Sequence, residues 1–168
     1  LAGTNRNGPL LDVELEFPGP TSAARILAIE DVFVVHDDAV LASDGGLVVS
    51  GAEPVRRIFL DPEVEEIPAG VTIASARLVL TIDEARVPGD TLTVVARTVL
   101  SDFVGEKTVL GTVAPATVLG AVVVPPTAAQ GDTLSFETPL LTRLVREWFR
   151  NPDSRLGLAL TLVDERSA

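Results

Sequence analysis

Between Leu10 and Phe17 the chain alternates strictly, with Leu11, Val13, Leu15 and Phe17 apolar and Asp12, Glu14 and Glu16 acidic between them. Successive side chains of a strand point to opposite faces, so a period of two predicts a strand with one buried and one solvated face. Residues 1–9 before it read as a polar linker bearing Gly and Asn, and Phe17-Pro18-Gly19-Pro20 after it reads as a sharp turn. Further short runs rich in Val, Leu, Ile and Thr follow, separated by breakers such as Asp44-Gly45-Gly46, Pro88-Gly89-Asp90, Pro125-Pro126 and Gln130-Gly131-Asp132. The segment Arg56 to Ile82 reads as strand, turn, strand around Pro68-Ala69-Gly70. One stretch changes period. Leu140, Leu141, Leu144, Val145 and Trp148 recur at helical spacing, Thr138 stands at the N-cap with Pro139 behind it, and Asn151-Pro152 stops the run. The pattern predicts one short amphipathic helix over about residues 139–150 in an otherwise all-β chain, an antiparallel β-sandwich.

Two of these segments carry a family resemblance. Arg57-x-Phe59-x-Asp61, then Ile67-Pro68-Ala69-Gly70, then the strand Val71 to Ile82 with Ala76 and Leu78, resemble the signature block of the DNRLRE domains. These are TGF-β-propeptide-like domains grouped with the family-ninety-six carbohydrate-binding modules. The family's helix is matched by Thr142 to Trp148, and its closing strand by Leu156-Gly157-Leu158-Ala159-Leu160. The resemblance covers roughly Asp31 to Leu162 and implies a secreted, jelly-roll-like sandwich, here over residues 25–163. The family's "FDLS" is FLDP in this chain, a shift around Leu60.

The family also ends on one more strand, of the form P-x-L-x-V-x-[FY], which does not follow Leu162 here. A segment of that form stands at the other end, in Pro9 to Phe17. A sandwich without its last strand exposes an unpaired edge and an open core, so residues 10–17 are expected to act as a closing or donor strand. Three fillings are open: the strand folds back into its own domain as in a circular permutation, it inserts into the next copy, or the chain is one period of a tandem array. In each of them Leu11, Val13, Leu15 and Phe17 are the residues that fill the seam, and Phe59, Leu144 and Trp148 are expected core anchors.

Composition narrows the chemistry. A chain of 168 residues buries roughly 70% of its unfolded surface as one domain, so the absence of cysteine leaves it stable enough without staples. Twenty-four acidic residues against 13 basic ones give a net charge of −11, which argues against nucleic acid as a partner. No apolar run reaches the length of a membrane span. His36 is the only histidine, too few for a His/Cys zinc site or a triad, and catalysis is not expected. Asp37, Asp38 and Asp44 near a Gly-Gly turn are weak calcium candidates; no other cofactor is expected. A sugar platform is poorly provided for, with one Trp, no Tyr and six Phe. Arg56, Arg57, Arg77 and Arg97 offer an alternative reading, contact with an acidic polysaccharide. The expectation that results is a non-catalytic extracellular or cell-surface module that partners copies of itself, the repeating or polymerising unit of a fibre or array, with a polysaccharide-binding module as the alternative.

Overall fold

The structure is a computed structural model and describes residues 9–18, 22–27, 29–35, 40–41, 56–82, 91–100 and 115–163. Strands β1 (Leu10–Glu16), β2 (Ser22–Leu27), β3 (Ile29–Val35), β4 (Val40–Leu41), β5 (Arg56–Pro62), β6 (Thr72–Thr81), β7 (Leu92–Val99), β8 (Pro115–Val124), β9 (Thr133–Glu137) and β10 (Leu158–Leu162) are joined by one helix, α1 (Pro139–Arg150). They form two antiparallel sheets. Sheet A has the order β2-β1-β6-β9, and sheet B has the order β4-β3-β5-β10-β7-β8. β2 and β3 lie in different sheets although a single residue separates them in sequence.

The apolar faces of both sheets meet in one core. Sheet A contributes Leu11, Val13 and Leu15 from β1, Ile73, Ala76 and Leu78 from β6, and Phe136 from β9; sheet B contributes Ile58, Leu60, Val94, Ala96, Leu158, Leu160 and Leu162. Ile73 and Ala76 are three residues apart, which simple alternation forbids. The ladder explains it: Ser75 faces Glu14 and Ile73 faces Leu15, so Ala74 is the extra residue of a β-bulge that puts Ile73 back on the core side. Gly70, with φ of 80°, ends the Pro68-Ala69 turn into β6 in a conformation that glycine adopts most cheaply.

Helix α1 forms where the sequence places it. The Thr138 hydroxyl accepts from the Leu141 amide at 3.2 Å and donates to the Leu119 carbonyl of β8 at 2.6 Å, so the same cap pins the helix to sheet B. The buried side of the helix is Leu141, Thr142, Val145 and Trp148. Leu144 is half-buried against this core, so Leu141 and Val145 are the deeper anchors beside Trp148. Phe59 is fully buried but faces away from the common core. It stands in register with Ala159, which neighbours Arg97, while Val95 pairs with Thr161 one row along. Phe59, Val95, Ala159 and Thr161 are all withdrawn from solvent, so the middle of sheet B is buried on both faces.

Candidate functional site

Strand β1 fills the seam that the family resemblance left open. It lies inside sheet A, pairing antiparallel with β2 from Leu11 to Glu16 and with β6 from Leu10 to Glu16 of the same chain. Main-chain groups on both of its edges are therefore engaged. Leu11, Val13 and Leu15 are 0%, 0% and 1% exposed. At about 1.5–3 kcal/mol for each fully buried side chain, these three contribute about 4.5–9 kcal/mol as an upper bound, comparable with the whole stability of an ordinary domain. Phe17 lies one residue past the strand and is half-buried against the same core. The link through residues 17–21 joins β1 to β2.

The outer face of the seam is acidic. Asp12, Glu14 and Glu16 alternate with the core residues, and Glu137 of β9 stands in register with Arg77. Arg77 bonds Asp12 at 2.6 Å, and this hydrogen bond, with the charge of the same carboxylate, holds the guanidinium above its ordinary value. Ser75 donates to Glu14 at 3.3 Å.

Sequence reasoning missed how the other edge of β6 is closed. β9 stops at Glu137, opposite Arg77, leaving Ile73 to Ala76 without a strand on that side. Helix α1 takes its place. The Ala76 amide donates to the Thr142 hydroxyl at 3.1 Å, and Arg146 donates through Nε to the Ile73 carbonyl at 2.8 Å and through Nη2 to the Ala74 carbonyl at 2.9 Å. The helix thus satisfies backbone groups around the bulge that an exposed edge would offer to another chain. The signal was one polar pair at i, i+4 on the flank of an apolar helical stripe, Thr142 and Arg146.

A second feature ties the loop after the helix to sheet B. Arg155 pairs with Asp61 of β5 at 2.8 Å and with Glu65 of the 3-10 turn Val64–Glu66. Burial acts to raise the Glu65 carboxyl, but a backbone hydrogen bond and the Arg155 guanidinium outweigh it and hold the group below the usual 4.5.

The remaining candidates are placed as follows. Asp37, Asp38 and Asp44, with His36, lie outside the described residues. Among the described residues no three His, Cys, Asp or Glu side chains come together as a metal site, and no helix is long and apolar enough to cross a membrane. Trp148 is 2% exposed and presents no face to a sugar. Arg77 is committed to Asp12, Arg97 donates to the Thr161 hydroxyl at 3.2 Å, and Arg57 is also engaged. No protein-family model matches this sequence, and no curated protein matches it.

Proposed function

We propose that this chain is a non-catalytic structural module of the DNRLRE type, acting at the cell surface or outside the cell as the repeating or polymerising unit of a fibre or array, with β1 as the element through which units join. The observation that carries this reading is the seat of β1. A segment close to the start of the described chain occupies the interior of a sheet, holds main-chain ladders on both edges, and buries three side chains completely. The short link at residues 17–21 joins it to β2, its neighbour in the sheet. Such a strand is equally at home in the identical slot of a neighbour, where it meets the same partners at the same free energy apart from the link and the cost of association. The exchange gives an open chain of units wherever it is not reciprocal. Of the arginines considered for polysaccharide contact, Arg57, Arg77 and Arg97 have partners in their own chain, which favours the structural reading over the binding module.

The test uses the full chain, which has no cysteine of its own. Asp12 and Arg77 are directly opposite each other on β1 and β6. Single variants Asp12→Cys and Arg77→Cys, mixed, refolded at high concentration and oxidised, form the covalent heterodimer in large excess over either homodimer when β1 of one copy sits beside β6 of another. The double variant then gives a ladder of multimers on a non-reducing gel. A double variant that runs solely as an intramolecularly bonded monomer, with no heterodimer from the mixture, removes the strand-exchange reading.

A further inference from the structure

We propose that the outward face of α1 docks on the outer face of sheet A of a second copy of this chain, with Arg143 and Arg150 of one copy meeting Glu14, Glu16 and Glu137 of the next. The proposal rests on the reading of a self-assembling unit but does not require β1 to leave its own domain.

With Leu141, Thr142, Val145 and Trp148 turned inward, the solvent side of α1 carries Leu140, Arg143, Glu147 and Arg150. Arg143 and Arg150 are seven residues apart, so they fall within about 20° of one line and about 10.5 Å apart along the axis. Arg146, on the flank between them, is already used by the carbonyls of Ile73 and Ala74. In a chain with 24 acidic and 13 basic residues, an arginine readily finds a carboxylate of its own, as Arg77 and Arg155 do. Arg143 and Arg150 have no such partner among the described residues. Leu140, 48% exposed, stands one turn before Arg143 on this face, and Glu147 lies between the two arginines. Arginine beside an apolar anchor is the composition that protein interfaces favour.

Sheet A carries the opposite charge. Asp12, Glu14, Glu16 and Glu137 share its outer face with Arg77, the one cation there among the described side chains, and Asp12 already holds Arg77. Among the described residues Glu14 and Glu16 form no ion pair, while Glu137 adds its charge to the field on Arg77 without bonding it. Strands lie about 4.8 Å apart and alternate residues about 6.8 Å apart, so Glu14 and Glu137 stand about 12 Å from each other. That matches the arginine spacing to within the reach of the side chains. Each guanidinium can then take a carboxylate in the bidentate geometry that arginine favours. The net charge of −11 opposes any encounter of copies, yet at physiological salt the Debye length is about 8 Å. Distant repulsion is screened while pairs in contact are not. Because the two surfaces are different patches of one molecule, the contact runs head to tail and propagates.

The test is charge exchange in the full chain, read by sedimentation at physiological salt. Arg143→Glu/Arg150→Glu and Glu14→Arg/Glu16→Arg each place like charges together, and each weakens association at least about tenfold. An equimolar mixture of the two restores it, since both contacts in the mixture are complementary. Circular dichroism of each variant verifies that it is folded. Association persists when β1 is locked in its own domain by the Asp12→Cys/Arg77→Cys disulfide. The proposal is overturned by a wild-type chain that stays monomeric, by folded variants that associate as wild type does, by a mixture that stays monomeric, or by association that vanishes in the locked protein. Retention of a monomeric wild type on an anionic polysaccharide gel, lost on Arg143→Glu/Arg150→Glu, overturns it in favour of that other partner.

Discussion

Replacing Thr142 by valine isolates what the helix does for the edge of β6. Thr142 is 8% exposed and Ala76 is fully buried, and the hydroxyl of the one accepts from the amide of the other at 3.1 Å. Valine keeps the branched shape and has a similar helix propensity, but it offers no acceptor, and β9 ends too early to provide one. The Ala76 amide is then buried and unpaired, which costs about 1–3 kcal/mol. Taking about 2 kcal/mol, a domain of this size loses about 4–8 °C in Tm. Serine is the control, since Thr142→Ser retains the acceptor and gives up one methyl group, worth about 0.8 kcal/mol. Urea unfolding monitored by Trp148 fluorescence reads both variants, with an unchanged m-value as the condition for comparing them. Amide exchange gives a second readout: if Ala76 exchanges through global opening, its protection falls about thirtyfold in the valine variant. A valine variant as stable as wild type, or a serine variant that loses more than the valine one, refutes the role assigned to this hydrogen bond.

Leu15→Ala on β1 empties a site that is 1% exposed and is expected to cost about 2–5 kcal/mol, whereas Glu16→Gln next to it stays within about 0.5 kcal/mol; denaturant midpoints distinguish them. Gly70→Ala meets no atom within 4 Å, so its whole cost is that of a side chain at φ of 80°, about 1–2 kcal/mol by thermal melting. Glu65 has a depressed folded-state pKa, so its pairing with Arg155 contributes stability above the unfolded value of 4.5 and loses it as pH falls through the folded value. Glu65→Gln, which leaves the Arg155–Asp61 pair in place, is therefore expected to remove stability at neutral pH and to flatten the acid limb of the stability profile; Glu65 is more than half exposed, so the change is small.

The legibility of this fold tracks how directly each element depends on local pattern. The period of two at Leu11, Val13 and Leu15 is sufficient to give a strand with one buried face, and Thr138, Pro139 and Asn151-Pro152 bound α1 because caps and stops act within a few residues. What alternation could not carry was the bulge at Ala74, which shifts the core face of β6 by one position. The closure of the β6 edge by Thr142 and Arg146 was hidden for a different reason: its partners lie 66 to 73 residues away, and nothing local marks the carbonyls they serve. Arg155 is likewise tied to residues far upstream. The double burial of sheet B had a trace in the sequence, since Leu158-Ala159-Leu160 and the Val94-Val95-Ala96 run are apolar without alternating. Strands covered on both faces read in that way, so Phe59 counts as an anchor of the far face and not of the common core.

Strand β1 joins the two proposals in a way that makes them interdependent. Its apolar residues Leu11, Val13 and Leu15 close the sandwich, while Glu14 and Glu16 between them form most of the surface offered to α1 of another copy. If β1 moves into a neighbour, the carboxylate row moves with it, because the alternation along one strand fixes both faces at once. A helix docked on that row therefore holds β1 in whichever sheet it occupies, and by linkage a firmly seated β1 strengthens the docking by the same factor. The disulfide that locks β1 in its own domain should accordingly strengthen head-to-tail association, while Leu15→Ala, which loosens the strand without touching a surface charge, should weaken it. The weakening by Leu15→Ala is what simple electrostatic contact between rigid modules does not produce, since that change leaves every charge of both faces in place, whereas the disulfide removes Asp12 and Arg77 as a pair and keeps the net charge of the face.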